Sequence, residues 1–160
     1  TTSKPDARFY RYQWNLTQVN AERTWGIQTG QPSVAVAVLD SGVAYEDYTD
    51  PRTGQAFRKA PDWGDTKFLP GWDFVNGDAH PNDDEYHGTH VASTIAEATN
   101  NGTGMPGSTS VVNRAVTARS ASRRTAPMSM MRSARGSRPV VSVSTTTNWG
   151  RGRGCGMVGG

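Results

Sequence analysis

Cysteine and long apolar runs are both scarce in this sequence of 160 residues. The single cysteine, Cys155, excludes an internal disulfide framework. No stretch approaches the roughly 18 to 20 consecutive apolar residues of a membrane span, so we predict no membrane partner. No signal-like apolar segment follows the first residues, TTSKPDARFY, which leaves a processed form, a cytosolic protein or a piece of a longer chain as alternatives.

Acidic residues are absent from the last third of the chain. All 14 Asp and Glu lie in residues 1–107 beside eight Lys and Arg, so this part has a net charge of −6. Residues 108–160 contain nine Arg and no Lys, Asp, Glu, Leu, Ile, Phe or Tyr. Such a composition supplies little core. We therefore divide the sequence into a globular part, residues 1–107, and an Arg-, Ser- and Gly-rich tail, residues 108–160.

Three interpretations of the tail are open. It is typical of a disordered basic segment. Arg-rich and RG-containing stretches also bind phosphate backbones, although we do not expect a nucleic-acid partner here. The interpretation that we favour is a GC-rich gene read out of register beyond residue 107. Translating the coding DNA in the other two frames tests it, because a Val- and Ala-rich strand and a Gly-Thr-Ser-x-Ala motif should then appear.

The globular part begins with a helix and a buried strand. WNLTQVNAERTWG, residues 14–26, predicts a short helix that Gly26 ends. PSVAVAVLD, residues 32–40, is an uninterrupted run of small and β-branched apolar residues and predicts a core strand. The strand ends on Asp40, and in open α/β sheets ligands bind at the carboxyl ends of the strands.

The rest of the globular part alternates loops with a second strand and a helix. Residues 44–70 are rich in Pro, Gly, Asp and aromatics and predict a long surface excursion. KFLPGWDFV, residues 67–75, predicts a short strand, and a polar loop follows it. HGTHVASTIAEA, residues 87–98, predicts an amphipathic helix. Its expected buried stripe is Val91, Ile95 and Ala98.

Two histidines, His87 and His90, lie in the first turn of that helix. A zinc-protease site would need two ligands at positions i and i+4 with a glutamate after the first, whereas the spacing here is i and i+3 and Gly88 follows. The alternative couples His87 to Asp40. A carboxylate that accepts a hydrogen bond from one imidazole N–H leaves the other nitrogen free to act as a general base, and Gly88 leaves room for a substrate.

The motifs VAVAVLDSGV and HGTHVAS, in that order, resemble those of the subtilisin-like serine peptidases, the subtilase family, whose aspartate motif is D-[ST]-G and whose histidine motif is H-G-T-H-V-A. The resemblance implies that Asp40 is the triad aspartate, that His87 is the general base and that His90 is structural. It covers about residues 10–107. The same motifs supply the remaining structural neighbours of the site, which are Ser41, Gly42, Gly88 and Thr89.

The segment GWDFVNGDAHPNDDEYHGTH is similar to thermitase-type members of that family, whose corresponding loop binds calcium. Oxygen donors at close spacing suit Ca²⁺. A solvated acidic loop is the alternative, and His80 stands where the resemblance leads us to expect an oxygen ligand. The calcium ligands that the resemblance implies are Asp73, Asn76, Asp78 and Asn82.

The serine of the triad has no counterpart that we recognise in this sequence. In the family it lies in a G-T-S-M-A motif far downstream of the histidine. Ser108 and Ser110 follow His87 too closely, and Ser129 lacks the preceding Gly-Thr. Asn148 lacks the context of the family's oxyanion-hole asparagine. Because triad members act as a unit, we expect this 160-residue form to be inactive.

We therefore expect the N-terminal half of a three-layer α/β subtilisin-like fold with a mostly parallel sheet. The expected function is serine-type endopeptidase activity on proteins or peptides. A non-catalytic fragment that binds peptides or calcium is the alternative, and a basic nucleic-acid-binding protein is a more distant one. The resemblance further implies a secreted protein without an organic cofactor. Substrate specificity and oligomeric state are not readable from the sequence.

Overall fold

A computed structural model describes residues 4–31, 33–108, 115–119 and 140–144. Along the chain, the elements are a 3-10 turn at Tyr10–Tyr12, helices α1 (Trp14–Gln18) and α2 (Ala21–Trp25), strands β1 (Ala35–Asp40), β2 (Tyr48–Thr49), β3 (Ala56–Phe57) and β4 (Phe68–Asp73), helix α3 (His87–Ala96), and strands β5 (Ala115–Arg119) and β6 (Val140–Ser144). Among these described residues, no helix is long and apolar enough to cross a bilayer.

Four of the strands form one sheet in the order β4, β5, β1, β6. Each of its pairings is parallel, which confirms the predicted α/β class with a parallel sheet. Strand β1 has a partner on both sides, and its residues 35–38 are buried, as a central strand of small and β-branched residues requires. Its last residue, Asp40, therefore lies at the edge of the sheet where the carboxyl ends of parallel strands meet.

The predicted helix over residues 14–26 is instead two five-residue helices, α1 and α2. They are separated at Asn20, which has a φ of 55°. Asparagine enters this left-handed region more readily than most residues, and one such residue interrupts the helical hydrogen bonds. The prediction was wrong because apolar spacing does not reveal a single left-handed residue.

The surface excursion predicted for residues 44–70 contains a small hairpin. Strands β2 and β3 pair antiparallel, with Tyr48 opposite Phe57. The excursion also contributes to the core, since Trp63 is only 2% exposed. Its indole Nε1 donates a hydrogen bond to the carbonyl of Ala44 at 2.8 Å, and its ring meets Phe68 edge-on at 5.0 Å between centroids. This segment is therefore partly core.

Helix α3 packs against β1, but its buried face is not the predicted one of Val91, Ile95 and Ala98. Its buried residues are Gly88, Ala92 and Ala96. Val91 and Ile95 are partly buried and pack against the cluster formed by buried Val38, Val43, Trp63 and Ala92. Ala98 lies beyond the end of the helix. Small residues at the centre of the stripe let the helix axis approach the sheet closely, and the large apolar residues flank the contact.

The division predicted at residue 107 stays a prediction, because most of residues 108–160 lie outside the described part of the chain. The predictions made for Ser110, Ser129, Asn148 and Cys155 fall there. Within this region the structure describes two strands, β5 and β6. Ser108 is also described, and its backbone links α2 to α3: its carbonyl accepts from Trp25 and its N–H donates to Thr94.

Candidate active site

Asp40 and His87 meet at the carboxyl edge of the sheet. Nδ1 of His87, the first residue of α3, lies 2.8 Å from Oδ1 of Asp40, the last residue of β1. An ionised carboxylate only accepts hydrogen bonds, so Nδ1 is the donor. The Asp40 side chain is 6% exposed and that of His87 is 39% exposed. The carboxylate is thus shielded from water while the imidazole remains accessible.

Two glycines allow α3 to approach the end of β1 this closely. A Cβ on Gly88 would lie 2.0 Å from the carbonyl oxygen of Gly42, well inside any real contact. Gly42 itself has a φ of 120°, and a Cβ there would lie 2.4 Å from the carbonyl oxygen of Asn82. The glycines of the D-S-G and H-G-T motifs therefore pack backbone against backbone. A side chain at either position would push the two segments apart.

Ser41 and Thr89 join the two motifs through Asp83, a residue that the sequence analysis missed. The Ser41 backbone N–H donates to Asp40 Oδ1 at 2.7 Å, and its hydroxyl donates to Asp83 Oδ1 at 2.8 Å. The N–H of Thr89 donates to Asp83 Oδ2 at 2.8 Å, and the Thr89 hydroxyl contacts the same oxygen. A signal was present, since an acidic residue shortly before a helix often satisfies its first N–H groups.

His90 lies one helical turn after His87 and is exposed. Its N–H donates to the carbonyl of Tyr86 at 3.1 Å, and its own carbonyl accepts from the hydroxyl of Thr94 at 2.9 Å. These are helix-stabilising backbone contacts. A structural role for the His90 side chain stays a prediction.

The loop predicted to bind calcium is filled by hydrogen-bond donors. Asp73 is 1% exposed. Its Oδ1 accepts from the N–H groups of Val75 and Asn76 at 2.7 and 3.1 Å, and its Oδ2 accepts from the Asn76 amide at 3.0 Å. Asp78 Oδ1 accepts from the N–H of His80 at 2.9 Å. The carboxylates therefore organise the turns of the loop.

The guanidinium of Arg52 lies against two carboxylates beside this loop. Arg52, from the β2–β3 turn, lies 2.6 Å from Asp78 Oδ2 and 3.3 Å from Asp50 Oδ1. Hydrogen bonds from the backbone and side chain of Arg52 lower the pKa of Asp50. In the part of the chain that the structure describes, no three His, Cys, Asp or Glu side chains converge as a metal site. The carboxylates of Asp73 and Asp78 are thus engaged by donors of the protein itself, and calcium here stays a prediction from the resemblance.

The resemblance led us to expect an oxygen ligand at position 80, and His80 instead makes a polar contact with Glu46. Its Nδ1 lies 2.8 Å from Glu46 Oε1, and its ring stacks on Tyr48 with 3.9 Å between centroids. The amide of buried Asn82 donates to the same Glu46 oxygen at 2.9 Å. Burial raises the pKa of Glu46, but the hydrogen bonds that it accepts outweigh burial and hold the pKa below its usual range. Glu46 thus ties the loop to the segment after β1.

The carboxylates of Asp62 and Glu97 lie at the far end of α3, beside a cavity of about 570 Å³. A Cβ on Gly104 would lie 2.0 Å from Asp62 Oδ2 and 3.1 Å from Glu97 Oε1, so both carboxyl groups surround this glycine. Burial, followed by the repulsion from Asp62, raises the pKa of Glu97 to about 7. A carboxylate at a helix C-terminus is also disfavoured by the helix dipole. The lining residues of the cavity do not include Asp40 or His87.

Glu97 is therefore expected to make stability depend on pH. The pKa of Glu97 in the folded chain is raised above 4.5. Its contribution to the free energy of unfolding is therefore fully present below pH 4.5 and is lost as the pH rises through about 7. Allowing for solvent screening of a half-buried group, the loss is about 1 kcal/mol. Urea unfolding of Glu97→Gln at pH 5 and pH 8 should show a smaller difference than the parent chain. Asp65→Asn, which removes an exposed acid, should retain the parent's difference, and an equal response of both variants would contradict the assignment.

The fold is an α/β protein with a parallel sheet and an Asp–His pair at the carboxyl edge of that sheet, and comparisons with known proteins define the family. The model of the subtilase family, Peptidase S8, matches residues 31–156. The thermophilic serine proteinase of Bacillus sp. strain AK1 is 36% identical over 104 residues, which are 64% of this chain and 22% of that protein. Thermitase of Thermoactinomyces vulgaris is 32% identical over 102 residues, 64% of this chain and 31% of thermitase.

A solved structure agrees with these sequence matches. A protease from Pseudoalteromonas arctica PAMC 21717 superposes with a TM-score of 0.54 and 27% sequence identity, over 73% of this chain and 39% of that one. The chain belongs to the subtilase family. It spans between about a fifth and a third of the length of the two named relatives.

Proposed function

We propose that this chain carries the aspartate and the histidine of a subtilisin-like serine endopeptidase. The hydrogen bond between Asp40 and His87, at the carboxyl edge of a parallel sheet, is the observation that supports this most strongly. Membership of the subtilase family supports the reaction class, hydrolysis of peptide bonds in proteins. From the membership of this family we also propose an exported protein.

The two residues have complementary roles in the proposed reaction. Asp40 accepts a hydrogen bond from Nδ1–H of His87, which keeps the proton on Nδ1 and leaves Nε2 unprotonated and able to accept a proton. Nε2 takes the proton of a serine hydroxyl as that oxygen attacks the peptide carbonyl, and the imidazolium is stabilised by the buried carboxylate. It then gives the proton to the leaving amine, which yields the acyl enzyme, and water repeats the sequence to release the acid.

The serine must come from a segment that this sequence does not contain in recognisable form. We therefore propose that the 160-residue chain itself does not cleave proteins. The residues present supply the base and its carboxylate partner, and these alone support no covalent step.

A casein-cleavage assay tests the proposal on two chains. A longer chain, in which the sequence after residue 107 is completed with an in-frame subtilase serine segment, should cleave casein, and a serine-directed phosphonate should block the cleavage. The 160-residue chain should not cleave. Phosphonate-sensitive cleavage by the short chain would show that a serine already present is the nucleophile. Failure of a folded completed chain to cleave would contradict the endopeptidase function.

A further inference from the structure

Asp83 bridges the two segments that carry the proposed acid–base pair. Its Oδ1 accepts from the Ser41 hydroxyl at 2.8 Å and from the N–H of Glu85 at 3.0 Å. Its Oδ2 accepts from the N–H of Thr89 at 2.8 Å and contacts the Thr89 hydroxyl. Ser41 directly follows Asp40, and Thr89 is two residues after His87. One carboxylate is thus hydrogen bonded on both sides of the pair.

The direction of these hydrogen bonds depends on the charge of Asp83. An ionised carboxylate accepts only, so the Ser41 hydroxyl must point its proton at Asp83. The lone pairs of the Ser41 oxygen are then free to accept the N–H of Gly88 at 2.9 Å. Gly88 is the neighbour of His87, so a chain of bonds runs from Asp83 through Ser41 to the backbone that holds the imidazole. The N–H of Ser41 meanwhile donates to Asp40 at 2.7 Å.

Asp83 also caps the helix that carries His87. Tyr86 occupies the N-cap position of α3 with a φ of 66° and makes no side-chain capping bond. Asp83 accepts from Thr89, the third helical residue, in its place. A negative charge is favourable at a helix N-terminus because the first N–H groups there have no partner within the helix. The cap fixes the first turn, and the first turn fixes the position of the imidazole.

The Thr89 side chain extends the same connection to the segment after β1. Its hydroxyl contacts Asp83 and accepts from the N–H of Ala44 at 3.0 Å. Asp83, Ser41 and Thr89 therefore restrain the relative position of the end of β1 and the start of α3 from both directions. The other contacts described between these two segments are the bond between Asp40 and His87, the packing of Gly42 on Gly88 and the apolar cluster that contains Val38 and Ala92.

We propose that Asp83 is a positioning residue, whose carboxylate holds Ser41 and Thr89 so that Asp40 and His87 stay in hydrogen-bonding contact. The proposal rests on the proposed function, since it concerns the same pair. Asp83 does not act on substrate. It acts by limiting how far the imidazole can move away from the Asp40 carboxylate.

The test is proton exchange at His87 in the 160-residue chain. In the parent chain, proton NMR with isotope-labelled histidine should detect the His87 Nδ1 proton as a slowly exchanging resonance. In Asp83→Asn, whose side chain cannot accept from both Ser41 and Thr89, exchange of this proton with water should become about tenfold faster or more, because the pair opens more often. Glu85→Gln is the control, since it removes the same charge from an exposed position in the same loop.

A purely structural role would give a different result. Asp83→Asn would then lower the melting temperature while the exchange of the His87 proton in the folded chain stayed at the parent rate, and this outcome would overturn the proposal. If Asp83→Asn does not fold, Ser41→Ala decides, because it removes the link to Gly88 and leaves Asp83 in place. Faster exchange in Ser41→Ala supports the proposal and an unchanged rate refutes it.

The same experiment separates this proposal from the proposed function. Asp40→Asn is included as a reference, because it removes the acceptor of the His87 proton directly. If Asp40→Asn leaves the resonance unchanged, the pairing itself is wrong and the function falls with it. If Asp40→Asn abolishes the resonance and Asp83→Asn does not affect it, the positioning role alone is refuted.

Discussion

Gly88→Ala is expected to lower the free energy of unfolding by about 3 kcal/mol or more, as overpacking against a rigid backbone does. The added Cβ would lie 2.0 Å from the carbonyl oxygen of Gly42 and 3.1 Å from the Cβ of Asp40. Neither neighbour is the end of a flexible side chain, so helix α3 must move away from the end of β1. The substitution should also separate His87 from Asp40. Urea unfolding followed by circular dichroism measures the first effect, and the His87 Nδ1 proton resonance reports the second.

Gly102→Ala is the matched control for this substitution. Gly102 has a φ of 70°, and nothing lies within 4 Å of the position of its added Cβ. The free energy of unfolding of that variant should fall by only about 1 kcal/mol, which is the cost of an alanine in the left-handed conformation. Equal losses in the two variants would show that the backbone contact between Gly42 and Gly88 is not as close as described.

His87→Ala, made in the completed chain that cleaves casein, is expected to lower kcat by about a millionfold. The substitution removes the imidazole, which is the group proposed to take the serine proton. Asp40→Asn should lower kcat about ten-thousandfold. The imidazole remains, but the carboxylate that fixes its tautomer and stabilises the imidazolium is gone. Steady-state hydrolysis of a chromogenic peptide gives both values.

His90→Ala is the control for the histidine substitution, since it makes the same change one turn later in the same helix. It should change kcat by less than about tenfold. Circular dichroism on all three variants establishes that each is folded. A loss for His90→Ala as large as that for His87→Ala would show that the two histidines had been assigned the wrong way round.

The central part of the fold could be predicted because its sequence signals are local. Strand β1 is a run of small and β-branched residues that must be buried on both faces, and α3 begins at its H-G-T motif. The contact between Asp40 and His87 followed from placing one residue at a strand end and the other at a helix start. Parallel-sheet geometry brings such positions to one edge.

Other features depend on contacts between distant residues and could not be read from the pattern. Arg52 pairs with Asp78 across 26 positions, and His80 pairs with Glu46 across 34. These contacts place a guanidinium and an imidazole against carboxylates in and beside the loop for which calcium was predicted. The left-handed Asn20 was hidden for the opposite reason, because one backbone angle leaves no mark on apolar spacing.

Asp83 lies between these two cases. It stands four residues before a predicted helix, and so its capping role could have been predicted. Its second contact, with Ser41, spans 42 positions and depends on how the loop folds back on β1. Only the three-dimensional arrangement shows that the same carboxylate contacts both the D-S-G and the H-G-T motif.

The tautomer of His87 tests the central claim most directly. Nitrogen NMR of the imidazole ring in the parent chain, at a pH where the ring is neutral, distinguishes a protonated Nδ1 from a protonated Nε2. A proton on Nδ1, lost from that nitrogen in Asp40→Asn, is the expected result, because only this tautomer donates to the carboxylate and leaves Nε2 to accept a proton. A proton on Nε2 in the parent chain would contradict the account.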